Sequence, residues 1–393
     1  MTDPNDATPG EPVPERGSAP APAAATPDLV LPGRLPEAAA WDAFVAGSAH
    51  GSYLQLSGWA RVKAVNGWKA RRVLLDVPGG QIGAQVLVAR PRPLPWGFAY
   101  APRGPVASSW DAAAIAVFTG SLRAQLPRAL GRISHVRIDP EVELNGALDL
   151  DGGLRNALRA AGWSPSPAIQ PPSSRVVDLQ ADEAALWGDL RKKWRQYVNK
   201  ARGAGIVVVD AGAERLDEFY AIYRDTARRA GFPIRTQAAY RDIWEALSPT
   251  GNARLLFAQT PDGEGLATLF LVSCGPRVVE PYGGMTLAGA ESRANYLLKW
   301  EAIRSSRLRG ATSYDMWGVV TPGIGQFKAG FGGREIQYIG AWDLVLDRVG
   351  RSVYAAAQRG RVWISRRQRA LDRSRGGDAG PGGDAGPGGG ADE

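Results

Sequence analysis

Cysteine and histidine are nearly missing from this chain of 393 residues, which has one Cys, Cys274, and two His, His50 and His135. A lone thiol excludes an intrachain disulfide and a cysteine-based metal cluster, and it fits a cytoplasmic protein. The two histidines show no ligand spacing, so no metal site is expected. His135 lies in "RISHVRID", which alternates like a strand, and reads as a structural histidine; no GxSxG elbow accompanies either residue. No apolar run reaches the ~18–20 residues of a membrane span. The first residues lack the charged start and apolar run of a secretory signal. Acids are in deficit, 39 against 47 Lys and Arg, for a net charge of +8. A basic balance favours polyanionic partners such as tRNA, DNA, pyrophosphate substrates or anionic lipid, with a solvated basic surface as the plain alternative.

What is present is enough apolar sequence for substantial cores, with 44% hydrophobic residues and 13 Trp. Residues 1–30 are Pro/Ala-rich and residues 376–393 read "GGDAGPGGDAGPGGGADE"; both are expected to be disordered. Between them the pattern predicts helices over Glu37–Ala46 and Ser57–Val65, then a hairpin turning at Gly79-Gly80. An extended "GFAYAPRGPV", a helix, the strand "ISHVRIDPEV" and a helix ending near Gly162 follow. After the linker "SPSPAIQPPSS" a similar order recurs: "RVVDL", a helix over Asp182–Arg202, "GIVVVDA", two helices, three strands, a helix, "SYDMWGV" and "AWDLVL". The fold class is therefore α+β, with two successive halves suggesting a duplicated unit.

Four segments carry candidate chemistry. In "LRKKWRQYVNKARGAG" six cations occur without an acid; Lys192, Arg195, Asn199 and Arg202 share one helical stripe, suited to phosphate. "GIGQFKAGFGGR" places Phe327 and Lys328 among glycines; by itself it reads as a turn, without the Walker spacing. Tyr282, Asp315 and Trp317 fall at or near predicted strand ends, where clefts open, or they are structural. "RSVYAAAQRGRVWISRRQRALDRSR" reads as a basic amphipathic helix that could meet tRNA phosphate or an anionic membrane surface, or simply solvent.

In order, "LQLSGWARVKAVNGW", "YAPRGPV", "KKWRQYVNKARGAGIVV", "FYAIYRDTARRAGF", "EPYGGM", "SYDMWGV" and "FKAGFGG" resemble the Fem family (FemA/FemB/FemX-like) of peptidoglycan interpeptide-bridge aminoacyltransferases. The resemblance implies two tandem acetyltransferase-like (GNAT-type) domains, here 31–165 and 166–345, with a basic helix over 346–375 returning to the first. It implies aminoacyl-tRNA as co-substrate, no other cofactor, and UDP-MurNAc-pentapeptide or lipid II as acceptor. It assigns Lys328, with Phe327, to catalysis, Lys63 and Arg195 to the acceptor's phosphates, and Tyr100 and Tyr282 to the acceptor's surroundings. Ser108 and Ser109 stand where some members have an acid, with Asp111 nearby, and no insertion marks a coiled-coil arm. The general base is left unassigned, with a substrate phosphate or a carboxylate such as Asp315 as plausible as a protein imidazole. A monomer is expected, with peripheral contact at the inner face of the membrane through the basic tail. Competing readings are an acyl-CoA-dependent N-acyltransferase, weakened by the lack of a clear R/Q-x-x-G-x-G/A turn, and an inactive RNA- or envelope-associated binding protein.

Overall fold

The computed structural model describes residues 37–319, 322–357 and 359. The expected tails and the basic segment beyond residue 359 lie outside the described residues.

Two seven-stranded mixed sheets organise the chain. The first unit runs α1 (Ala38–Gly47), α2 (Ser57–Ala64), β1 (Lys69–Val77), β2 (Gly80–Ala89), β3 (Gly97–Ala101), β4 (Val106–Ala107), α3 (Ala112–Leu130), β5 (Ile133–Ile138), α4 (Gly153–Ala160) and β6 (Trp163–Ser166). The second runs β7 (Ser173–Asp178), α5 (Glu183–Asp189), α6 (Lys192–Gly203), β8 (Val207–Ala211), α7 (Leu216–Ala230), α8 (Gln237–Leu247), β9 (Ala253–Gln259), β10 (Gly265–Cys274), β11 (Arg277–Met285), α9 (Leu287–Glu291), α10 (Ala294–Leu308), β12 (Ser313–Asp315), α11 (Pro322–Ala329) and β13 (Arg334–Gln337). Each sheet is antiparallel except for one pairing, β3 with β5 and β11 with β12. That shared feature supports a duplicated unit.

The chain then crosses back. β14 (Ala341–Val345) inserts between β5 and β6 in the first sheet, so the boundary expected at 345 falls earlier, before this strand. A helix over 348–357 follows. It lies on the first unit, where the Tyr354 ring stacks 5.0 Å from Phe98 and Gly350 abuts Trp96.

Two further expectations change. The linker after Gly162 begins with a strand, because Trp163–Ser166 pairs with β14. The helix expected over Asp182–Arg202 breaks at Leu190, which is extended and buried. Periodicity alone continues through that break. Arg191 leaves the helical path to donate its N–H to the Gly330 carbonyl at 2.9 Å.

One core lies in each sheet's own unit, and a third joins them. In the joining core Trp41, Tyr53 and Trp59 of the first unit pack with Phe219, Tyr240 and Phe270 of the second. Close approach is set by Gly58, where a Cβ would fall 2.9 Å from the Ala246 carbonyl oxygen. Arg61 binds that same oxygen at 2.7 Å. Apolar burial of this kind holds two units in one arrangement far better than rim contacts do. Val65, the expected last residue of this helix, lies just past α2, which ends at Ala64, and is exposed.

Candidate functional site

The segment "PGIGQFKA" is a helix, α11, rather than the expected turn. Its glycines disfavour a helix. Proline at its start is pre-set for one, and Phe327 anchors the last turn among Trp194, Tyr296 and Phe331. Gly330 follows. A Cβ there would fall 2.3 Å from the Trp194 ring, so only glycine allows the contact. That approach lets the Trp194 indole N–H donate to the Phe327 carbonyl at 3.1 Å.

Lys328 is thereby aimed at the loop after β12. Its Nζ donates to the Gly318 carbonyl at 2.6 Å and to the Trp317 carbonyl. An ammonium has three N–H groups, so two are occupied here. Burial, helped by the positive charge of Lys299 and opposed by Glu280 and Asp315, pulls Lys328 down to about 8. Trp317 has φ 52, a left-handed conformation that a bulky residue rarely adopts and that marks strain held by its surroundings. The holder is Asp315. Its Oδ1 accepts the Trp317 N–H at 2.7 Å and also the Ser174 hydroxyl.

Asp315 is 1% exposed, its Oδ1 holds both hydrogen bonds and its Oδ2 faces only the Arg277 guanidinium at 3.7 Å, so the carboxylate positions Trp317 rather than meeting a substrate amine. Burial, together with the charge of Glu141, raises its pKa against Arg277. Arg277 lies 3.7 Å from Asp315 and 2.5 Å from Glu141, and Glu141 lies 3.4 Å from Arg103. Arg103 stacks over the rings of Trp317 (5.1 Å) and Tyr338 (4.6 Å), and its backbone N–H donates to Asp139 at 2.6 Å. This buried ladder crosses from the first unit to the second. Tyr100 is part of it: fully buried, with its hydroxyl donated to Asp139 at 2.7 Å. An acceptor contact through that hydroxyl does not fit, because burial has already committed it to a partner.

An aromatic seam between the units begins at the Trp317 ring. Its ring meets Tyr53 at 5.9 Å, and Tyr53 meets Trp59 at 5.6 Å. Lys63 lies between two indoles, 5.7 Å from the Trp59 centroid and 5.4 Å from Trp68. Arg235, from the stretch before α8, stands 5.8 Å over Trp59 as well. Tyr282 packs 5.1 Å from Tyr240, whose hydroxyl accepts the Arg235 backbone N–H at 3.2 Å. The structure thus brings Lys63, Tyr282, Trp317 and Lys328 to one seam. Cations over indole faces can hold charge in a partly dry place.

α6 reaches the helix that carries Lys328 through Trp194, whose ring lies 6.4 Å from Phe327. Lys192 and Asn199 are exposed on α6. Arg195 turns back to cap α5, donating to the Gly188 carbonyl at 2.7 Å, and Arg202 pairs with Glu301 at 3.0 Å. Arg195 and Lys63 therefore stand among different neighbours. The cation that shares Trp59 with Lys63 is Arg235, which nothing in "GFPIRTQ" singles out.

Two family models match: residues 37–155 match the FemAB family and residues 188–329 an acetyltransferase (GNAT) domain. The lipid II:glycine glycyltransferase of Staphylococcus aureus is 28% identical over 235 residues, covering 58% of this chain and 54% of that protein. The resemblance to the Fem family is borne out by these matches. It spans about half the length of the curated relatives it matches. The crystal structure of FemX superposes with a TM-score of 0.72 at 21% identity, covering 81% of this chain and 98% of that one. A conserved protein of unknown function from Bacteroides thetaiotaomicron reaches 0.50 at 12% identity, covering 81% and 100%. These likenesses show the fold: tandem GNAT-type units.

In the loop that lacks the acid, Asp111 caps α3 by accepting the Ala114 N–H at 2.7 Å. No coiled-coil arm projects among the described residues, where α3 is the longest helix at 19 residues. Among the described residues, no group of three or more His, Cys, Asp or Glu could hold a metal, and no helix is long and apolar enough to cross a membrane.

Proposed function

We propose that this protein transfers an aminoacyl group from aminoacyl-tRNA to an amine of the stem peptide of a peptidoglycan precursor, UDP-MurNAc-pentapeptide or lipid II. The observation that carries the reading is Lys328, fixed by two backbone carbonyls at the seam between two acetyltransferase-type units. The amine nitrogen attacks the ester carbonyl, the new amide C–N bond forms, and the C–O bond to the tRNA ribose breaks. The proton lost by the amine ends on the departing ribose hydroxyl. An ester is already activated, so no covalent enzyme intermediate and no cofactor is required, and positioning supplies much of the rate. The third N–H of Lys328 meets the oxyanion that develops on the carbonyl oxygen. Lys63 and Arg235, sharing the Trp59 face, take the acceptor's phosphates. Such a protein works on the cytoplasmic side, where both substrates are made, and as a monomer, since the seam is complete within one chain.

A transfer assay with labelled aminoacyl-tRNA, and with the soluble and lipid-linked precursors supplied separately, tests this directly. Label in one precursor names the acceptor; label in neither removes the reading. Charge removal in Lys63→Met or Arg235→Met is expected to raise the acceptor KM by roughly ten- to a hundredfold, from the loss of a ~1.5–3 kcal/mol charged contact, with kcat little changed. An unchanged KM in both variants would take the phosphates elsewhere.

The pH profile separates two roles for Lys328. An oxyanion donor must be protonated, and its folded pKa is about 8. Activity should hold below that value and fall as pH rises through it. In Lys328→Arg the guanidinium stays charged, so residual activity should lose this alkaline limb. A profile that instead rises through about 8 would mean that the neutral amine acts as a base.

A further inference from the structure

Beside Lys328 lies an aromatic and cationic patch that the mechanism above does not use. It starts at Phe327 and runs outward to Tyr296 (5.3 Å between ring centroids) and then Tyr197 (4.8 Å). Trp194 closes the inner side, 5.3 Å from Tyr296. Tyr197 and Tyr296 are only half-buried, unlike the aromatic residues of the cores. Cations flank the outer ring: the Arg293 guanidinium stacks 4.7 Å from the Tyr197 centroid, and Lys193 Nζ lies 5.8 Å from it. Arg191 stands 5.6 Å over Trp194.

Two details set the patch apart from ordinary surface packing. Arg293 sits at φ 65 in the turn between α9 and α10, a left-handed conformation that a non-glycine residue holds at some cost. At the same junction Arg293 Nε and Asn295 Oδ1 are buried without a hydrogen-bond partner among the described residues. Buried polar atoms are nearly always satisfied, so a donor and an acceptor left open together point to a ligand that supplies both. The exposed cations Lys192, Lys193 and Lys200 line the same helix, with no acid in the sequence from Leu190 to Gly205. Half-buried rings, flanked by arginine and bordered by a basic track, are the physical requirements of an unpaired nucleotide: base on ring, phosphate on cation.

We propose that Tyr197, Tyr296 and Arg293 seat an unpaired terminal nucleotide of the donor RNA, while the Lys192–Lys200 face of α6 follows its phosphates. This rests on the reading that the donor is an aminoacyl-tRNA. The patch ends on Phe327, so a base held there delivers the ester of the same nucleotide to Lys328. Tyr197, Tyr296 and Arg293 are positioning residues; none touches the reacting carbonyl.

The test uses two uncharged RNA hairpins of the same stem, one with an unpaired 3′ CCA and one blunt, at one fixed low salt concentration, with affinity read by fluorescence anisotropy on the full chain. The wild-type protein should prefer the overhang. Tyr197→Ala should lose about tenfold or more of overhang affinity, as for one stacked base, and leave blunt-stem binding unchanged. Tyr197→Phe keeps the ring and should keep the preference, which separates stacking from a folding defect. An overhang preference that survives Tyr197→Ala and Arg293→Met alike overturns the proposal while leaving the RNA-donor reading in place. Failure of the wild-type protein to bind either hairpin would remove the RNA donor itself, and the proposal with it.

Discussion

Lys328→Met should reduce kcat for aminoacyl transfer by roughly 10²–10³, the effect of deleting a single oxyanion-hole donor, while the protein stays folded. The lysine is paired with backbone carbonyls of Trp317 and Gly318, so its removal takes no carboxylate partner away. Methionine fills nearly the same volume. It also relieves the desolvation that holds the ammonium down to about 8, and this offsets the two lost hydrogen bonds. The expected change in stability is therefore small, about 1–2 kcal/mol in either direction. Single-turnover transfer with saturating precursor isolates the chemical step from binding. A loss confined to KM would make Lys328 a binding group, and an undiminished single-turnover rate would remove it from the mechanism.

Much of the fold was legible because each unit buries regular faces. The hairpin at Gly79-Gly80, α7, α8 and β9 to β11 lie where their periodicity places them, within a residue or two. The site was legible only in its motif. Lys328 and Phe327 stand out in "FKAGFGG", yet their helix was not, because its glycines argue against one and the aromatic packing that stabilises it comes from α6 and α10. Arg235 carries no local signal; its place over Trp59 depends on how the two units dock. Asp315 looked like a cleft residue because it falls at a predicted strand end, and Tyr100 stood out only through the family resemblance. Their burial follows from partners more than thirty residues away, Asp139 for one and Ser174 for the other. A strand pattern gives the face of a side chain but not which distant charge will meet it.

The same blindness hides the group on which the arrangement of the two units depends most. Glu141→Ala should destabilise the protein by about 3–5 kcal/mol, the cost of breaking a buried ion pair from one side. Glu141 is 5% exposed and faces two guanidiniums, Arg103 from its own unit and Arg277 from the other. Both arginines are held charged by that carboxylate against the pull of burial. Without it, Arg277 keeps as a charged partner Asp315 at 3.7 Å, beside a hydrogen bond to the Gly51 carbonyl at 2.9 Å, and Arg103 keeps the Pro171 carbonyl at 2.9 Å and the Trp317 and Tyr338 rings. Urea unfolding at neutral pH reads the loss as a lower midpoint with an unchanged slope. Removing charge from both sides is a different matter: Glu141→Leu combined with Arg277→Met should recover part of the stability, because no uncompensated ion then remains buried. Transfer should not recover with it. Asp315 would lose its cation, and the strained Trp317 carbonyl that holds Lys328 depends on Asp315. Stability restored together with full activity would show that the ladder is only a clamp between units and takes no part in placing the lysine.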